Sequence, residues 1–113
     1  YYKKAQQVRR LIKEEFDRAF GQVDLILTPT TPISAFAIGR KVRDPLEMYL
    51  SDIYTVGVNL AGLCAMNVPA GFTGRGLPFG LQLIAAPFRE DRLFLTGDFI
   101  EKMTDKQGRP AKL

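Results

Sequence analysis

The sequence lacks several of the side chains on which enzymes most often rely. Its 113 residues include no histidine and no tryptophan, and the single cysteine is Cys64. A lone cysteine excludes a disulfide within the chain, and a zinc site without histidine would depend almost entirely on carboxylates, which is rare. An unpaired thiol is typical of a reducing compartment, so we expect a cytoplasmic or organellar-matrix setting.

Candidate nucleophiles are also scarce. The serines are Ser34, in a predicted loop, and Ser51, in a predicted helix. Neither lies in a glycine-flanked strained turn, and no histidine can serve as a base. Cys64 lies in an apolar run that favours a small, buried core residue. We therefore expect no catalytic residue in this chain.

Long apolar runs are absent too, because stretches such as residues 83–87 are far too short to span a bilayer. No pattern of a signal peptide follows Tyr1, so none is expected. A hydrophobic content of 46% with 25% charged residues is ordinary for a globular protein, and the length suits one domain with a modest core. The polar residues 105–113 are predicted to form a flexible tail.

A net charge of +4 comes largely from one segment near the N-terminus. Its basic residues are Lys3, Lys4, Arg9, Arg10 and Lys13. The solvated face of a helix is the first interpretation, because charge runs usually have that role. A surface that contacts nucleic-acid phosphates is the alternative, although no aromatic-rich nucleic-acid motif accompanies it.

The apolar spacing predicts the order α, β, α, β, β, α, and hence an α/β fold with a partial mixed β-sheet and packed helices. The predicted elements are a helix over 1–20 capped by Gly21, a strand over 23–28, a helix from Asp44 to Gly62, strands over 65–69 and 78–85, and a helix capped by Asp91 with Leu93, Phe99, Ile100 and Met103 as core positions. The strands are apolar enough to belong to a sheet of more than three members.

The glycine-rich link Gly71–Gly76 joins two predicted strands. A phosphate-binding loop would need a helix to start directly after it, so a β-turn is the preferred interpretation. The stiff segment Pro29–Pro32 follows the first predicted strand, at the end of a strand where ligands gather in α/β sheets.

The second predicted helix carries the most informative polar stripe. Asp44 as N-cap and Pro45 at the first position start it well. On a helical wheel Asp52, Thr55 and Asn59 share a stripe beside an apolar arc. Asp52 is either a solvated carboxylate or a carboxylate on a pocket wall that binds an ammonium group through a charge-assisted hydrogen bond.

Specific motifs resemble the amidase-signature family. They are YYKKAQQVRRLIKEEFDRAF, PTTP, DPLEMYLSDIYTV, VNLAGL, VPAGF and GLPFGLQLI, which together extend from Tyr1 to about Phe88. PTTP and the strand-turn-strand recur across that family. YYKKAQQVR, MYLSDIYT and VNLAGL are similar to its tRNA-dependent amidotransferase branch in particular.

This resemblance implies that residues 1–113 are the C-terminal portion of one amidase-signature domain. The Ser–cis-Ser–Lys triad of the family would lie in a segment N-terminal to this one. In the family, the carboxylate at the position of Asp52 in the MYLSD motif recognises the α-amino group of glutamine. The resemblance therefore implies this role for Asp52, and Thr55 and Asn59 lie on the same helical stripe as Asp52.

The resemblance further implies a glutaminase. Its ammonia would pass to a B-type partner subunit that amidates Glu-tRNA(Gln), with ATP and Mg²⁺ bound at that partner. A small third subunit, of the C type, would wrap the interface.

Some residues depart from the family pattern. Gly57 replaces a usual proline, Cys64–Asn67 replaces Pro-Gly-Ile-Ser, and Ala70 replaces a common cysteine. These departures leave the substrate geometry open. The alternatives are another amidase-signature hydrolase that acts on a small amide, and a non-catalytic module whose basic first helix contacts RNA.

Overall fold

A computed structural model describes residues 1–39 and 45–104. Its elements are the helix α1 (Tyr2–Phe20), the strand β1 (Ile26–Pro29), the helices α2 (Pro45–Ser51) and α3 (Ile53–Ala61), the strands β2 (Cys64–Phe72) and β3 (Pro78–Ala85), and the helix α4 (Glu90–Thr104). This confirms the α/β class and the predicted order, except that the second helix is divided in two. The predicted Asp44 cap and the predicted tail at 105–113 lie outside the described residues.

The described strands form a three-stranded sheet in the order β1-β3-β2, and each neighbouring pair is antiparallel. Leu83 of β3 lies opposite Leu27 on one side and Met66 on the other. The register shifts between Pro69 and Gly71, which marks a β-bulge in β2. Since side chains alternate along a strand, this register sorts the residues of all three strands onto two faces.

The first face of the sheet is closed by α4. Its buried cluster consists of Val68, Leu83, Ala85 and Leu93, with Leu25, Cys64, Met66, Leu81 and Ile100 packed against it. Gly97 is buried in α4, and a Cβ there would contact Val68 Cγ1 at 3.2 Å as well as the end of Met66. The absence of a side chain at Gly97 therefore lets α4 approach β2 closely.

The prediction for the core of α4 was half right. Leu93 and Ile100 pack in the core, whereas Phe99 and Met103 are mostly exposed. The stripe of α4 that faces the sheet runs through positions 93, 97 and 100. Because position 97 is a glycine, the apolar pattern of the sequence does not show that it belongs to this stripe.

The single helix predicted up to Gly62 was wrong at Asp52. The backbone there has φ −100° and ψ 5°, in the sparsely populated bridge region, and the Asp52 amide donates to the Tyr49 carbonyl oxygen at 3.3 Å. The Ser51 hydroxyl donates to the Met48 carbonyl oxygen one turn earlier. This side-chain bond competes with the helical backbone pattern at the point where the helix breaks.

The predicted end of α3 is confirmed. Gly62 has φ 67°, a left-handed conformation that favours glycine, and the Leu63 amide donates to the Val58 carbonyl oxygen at 3.2 Å. Arg9 of α1 adds a hydrogen bond from Nε to the Leu60 carbonyl oxygen at 2.7 Å. A cation at this end of a helix is favourable, because the last carbonyl groups carry partial negative charge.

Helix α1 packs on α3, where the Phe16 ring lies 3.8 Å from the position of a Cβ on Gly57. Its basic residues Arg10 and Lys13 form ion pairs with Glu14 and Asp17 one turn later. These pairs are exposed and typical of a solvated helix face. Gly21 ends the helix as predicted, although with φ −69° and not in the left-handed form.

Helix α4 begins one residue before the predicted cap, so Asp91 lies in its first turn. The side-chain hydrogen bond from Arg89 holds the pKa of the Asp91 carboxyl below its ordinary value. None of the helices in the described ranges 1–39 and 45–104 is long and apolar enough to cross a membrane.

Candidate functional site

Asp52 lies at the break between α2 and α3, at the N-terminus of α3. Its backbone carbonyl oxygen accepts hydrogen bonds from the Thr55 and Val56 amides, both at 3.0 Å. Its side chain is exposed and makes no capping hydrogen bond to the helix. The break therefore presents a carboxylate whose oxygens are not used in capping the helix that carries it.

The structure brings Thr55 and Asn59 into line with Asp52 along α3. The Thr55 hydroxyl donates to the Asp52 carbonyl oxygen at 3.1 Å, and Asn59 Nδ2 donates to the Thr55 carbonyl oxygen at 3.1 Å. Because these donors bond to the backbone, the stripe offers mainly acceptor oxygens: the Asp52 carboxylate, the Thr55 hydroxyl and Asn59 Oδ1. Acceptors are what a primary ammonium group, with three N–H donors, requires.

A second polar group, on the sheet, was missed by the sequence reasoning. Gln82 of β3 is 5% exposed, and its Nε2 donates to Thr28 Oγ1 at 3.1 Å and to the Tyr54 carbonyl oxygen at 2.9 Å. These bonds join β3 to β1 and to the first turn of α3. The only signal in the sequence is a glutamine between leucines in an otherwise apolar strand.

Asn67 extends this polar row across the sheet, because it lies opposite Gln82 in the ladder between β2 and β3. Thr30 of the segment Pro29–Pro32 donates its hydroxyl hydrogen to Asn67 Oδ1. The Asn67 amide lies over Gly80, where a Cβ would overlap it. Asn67 is exposed, so the row ends in a polar side chain at the edge strand β2.

Two of the other candidate residues, Cys64 and Ser51, occupy structural positions. Cys64 packs against the buried cluster, with its thiol 3.1 Å from the Ala86 carbonyl oxygen. The Ser51 hydroxyl bonds to the backbone at the helix break. Ser34 is exposed and lines a cavity of about 520 Å³ together with Phe36, Thr73, Gly74, Arg75 and others.

The glycine-rich link is a turn, as preferred from the sequence. Thr73 and Leu77 close it, with the Thr73 amide donating to the Leu77 carbonyl oxygen at 2.8 Å and the Gly76 amide donating to the Thr73 carbonyl oxygen at 2.9 Å. Gly76 has φ 81°, which a glycine adopts readily. These two amides are used within the turn and are not available to a phosphate.

Within residues 1–39 and 45–104, no group of three cysteine or carboxylate side chains is arranged to hold a metal ion. The acceptors along α3 have the chemistry to recognise a cation with several N–H donors. Two candidate nucleophiles, the Ser51 hydroxyl and the Cys64 thiol, bond to backbone carbonyl oxygens.

Comparison with known proteins places this segment in a family. The family model described as Amidase matches residues 1–94. The A subunit of glutamyl-tRNA(Gln) amidotransferase from Synechococcus sp. (strain RCC307) is 58% identical over 105 residues, which cover 93% of this chain and 22% of that protein. The A subunit of the same name from Chloroflexus aggregans (strain MD-66 / DSM 9485) is 56% identical over 113 residues, covering 100% of this chain and 23% of that protein.

A solved structure agrees with these relatives. The crystal structure of the A subunit of glutamyl-tRNA(Gln) amidotransferase from Thermotoga maritima matches with a TM-score of 0.84 at 47% identity, over 90% of this chain and 22% of that one. The chain thus spans less than a quarter of the length of the relatives it matches. Because the family model covers most of its residues, the chain belongs to the amidase family.

Proposed function

We propose that this chain is a segment of the A subunit of a glutamine-hydrolysing amidotransferase, and that it supplies substrate recognition and not the nucleophile. The observation that carries the proposal is the exposed Asp52 carboxylate at the start of α3, which the helix does not use as a cap. In the proposal this carboxylate binds the α-ammonium group of glutamine, with Thr55 and Asn59 as neighbouring acceptors. The names and the identity of the relatives support this choice among amidases.

The proposal assigns hydrolysis of the amide and use of the ammonia to groups outside the described residues. In the proposal a serine in another segment attacks the side-chain amide, the glutamyl group is held as an ester, and ammonia leaves. The ammonia converts Glu-tRNA(Gln) to Gln-tRNA(Gln) on a B-type subunit that binds ATP and Mg²⁺, and a C-type subunit is a further partner. The proposed setting is the cytoplasm or an organellar matrix.

The test is the substitution Asp52→Asn in a full-length protein that carries this segment, in complex with its partners. Asparagine keeps the size of the side chain and removes the charge, so the charge-assisted bond to the ammonium group is lost. Since such a bond contributes about 1.5–3 kcal/mol, the KM for glutamine should rise about 10- to 150-fold. Ammonia release over a range of glutamine concentrations measures it.

Glutaramate, which is glutamine without its α-amino group, is the matched control ligand. Its inhibition constant against glutamine should be the same for the Asp52→Asn variant as for the unaltered protein, because it has no ammonium group to lose. The substitution Asp98→Asn, at an exposed aspartate of α4, should change neither constant. An unchanged KM for glutamine in the Asp52→Asn variant would contradict the assignment of Asp52.

A further inference from the structure

Gln82 is a polar side chain in the most buried strand of the described sheet. The residues that follow it, Leu83, Ile84 and Ala85, are buried as well. A carboxamide removed from water at such a position is costly unless both of its N–H donors are satisfied. Here both donors are matched by acceptors, at Thr28 Oγ1 and at the Tyr54 carbonyl oxygen.

The bond to Tyr54 connects the sheet to the element that carries the proposed ammonium site. Tyr54 is the second residue of α3 and follows Asp52 by two positions. Thr55, the next residue, donates its hydroxyl hydrogen to the Asp52 carbonyl oxygen. A short path of hydrogen bonds and backbone therefore runs from β3 through the first turn of α3 to Asp52.

The break before α3 gives this path its importance. A continuous helix would hold Asp52 through the full set of backbone bonds on both sides. At the break, the Asp52 amide makes a 3.3 Å bond within a tight turn, and α2 on the other side is short. The orientation of the first turn of α3 relative to the sheet then depends on contacts between that turn and the sheet. The hydrogen bond from Gln82 to the Tyr54 carbonyl oxygen is such a contact.

We propose that Gln82 is a positioning residue for Asp52, and through it for recognition of the substrate ammonium group. The inference rests on the proposed function, because Gln82 can affect substrate recognition through Asp52 only if Asp52 binds the substrate. Gln82 itself is buried and need not touch the substrate. Its carboxamide holds the first turn of α3 on the sheet, so that the carboxylate keeps a fixed position.

The test is the substitution Gln82→Met in the full-length protein in complex with its partners. Methionine is similar in length and flexibility, and it removes both N–H donors. The KM for glutamine should rise about tenfold, since a loss of about 1.4 kcal/mol corresponds to that factor. The kcat should change less than about twofold, because the reacting groups are elsewhere, and the inhibition constant of glutaramate should stay unchanged.

The substitution Ile84→Val is the matched structural control, two residues along β3 on the same face of the sheet and buried. It removes a methylene group without altering a hydrogen bond, and it should affect glutamine and glutaramate equally. A Gln82→Met variant that weakens both ligands to the same extent, or neither, would overturn the proposal and leave Gln82 with a structural role.

Failure of the proposed function looks different in the same assays. If the Asp52→Asn variant keeps the KM for glutamine, Asp52 does not bind the ammonium group, whatever the Gln82→Met variant does. If Asp52→Asn raises that KM selectively and Gln82→Met does not, the proposed function stands and the positioning role of Gln82 is wrong.

Discussion

The two faces of the sheet contrast sharply, although they alternate along the same strands. The face under α4 is apolar and closed, with Val68, Leu83 and Ala85 buried against Leu93. The opposite face carries Thr28, Gln82 and Asn67 in one row, and the side of it formed by β2 is exposed. The apolar face holds the segment together, whereas the polar face connects it to the helix that presents Asp52.

This difference teaches that a buried polar side chain such as Gln82 can be a structural connection and not a packing defect. On the apolar face, stability depends on removal of area from water and is not directional. On the opposite face, where Ile84 is also buried, Gln82 adds two bonds with fixed geometry, one of which holds the first turn of α3 on the sheet. Substitutions on the two faces should therefore have effects of different size and kind.

The largest effect is expected for Leu83→Ala on the apolar face. Leu83 is 1% exposed, so its truncation leaves a cavity, and the free energy of unfolding should fall by about 3 kcal/mol. Urea or thermal unfolding measures the change. The substitution Leu95→Ala, at a position that is 75% exposed on α4, should cost less than about 0.5 kcal/mol. Equal losses at both positions would mean that α4 does not close this face.

Gly97→Val tests the close approach of α4 to the same face. The added side chain would contact Val68 and overlap the end of Met66, so overpacking should cost about 1–3 kcal/mol in unfolding free energy. Leu95→Val introduces a valine on the exposed side of the helix, where its cost is limited to the few tenths of a kcal/mol, roughly, by which leucine and valine differ in helix propensity. A loss for Gly97→Val no larger than that for Leu95→Val would show that the helix and β2 do not approach each other this closely.

A double-mutant cycle of Gln82→Met and Thr28→Val measures the polar face. The two side chains share a hydrogen bond at 3.1 Å, so their effects on unfolding free energy should be non-additive by about 1 kcal/mol. Combining Gln82→Met with Leu95→Ala provides a pair without contact, whose effects should simply add. A coupling near zero between positions 28 and 82 would mean that the hydrogen bond between them does not contribute to stability, so the two faces would not differ in the way described.

The smallest effect is expected in the link that brings the chain from β3 to α4. Phe88 has φ 62°, a left-handed conformation in which the Cβ of any residue other than glycine is strained, and the residue is 91% exposed. Phe88→Gly should raise the unfolding free energy by about 0.5–1 kcal/mol, the relief of strain less the chain entropy of glycine. Phe88→Ala removes the ring but keeps the Cβ, so a similar gain in that variant would rule out backbone strain as the cause.

Much of the fold was predictable because its signals are local. The predicted bounds of β3, 78–85, agree with the structure, since an apolar run is bounded by prolines on both sides. The end of α3 was also predictable, because a glycine such as Gly62 is a local signal for the end of a helix. The break at Asp52 was not, because serine and aspartate are both tolerated within helices and the competing Ser51 bond depends on the final conformation.

The candidate site divides in the same way. Asp52, Thr55 and Asn59 share a stripe in the sequence, and the structure lines them up on α3. Gln82 could not be found from pattern, because one of its partners is a backbone carbonyl group and the other lies on a strand 54 residues away. The hydrogen bond between Thr30 and Asn67 could not be predicted either, because only the tertiary fold brings these two residues together.

The prolines of the sheet have one further consequence, for association between molecules. Within the described residues β1 and β2 are the edge strands, and β1 ends at Pro29 while β2 contains Pro69 beside its bulge. An incoming strand needs a continuous row of N–H donors, which proline interrupts. In β2 the longest stretch before the proline and the bulge is residues 64–68, so a second copy that meets this edge has less than the full strand to pair with.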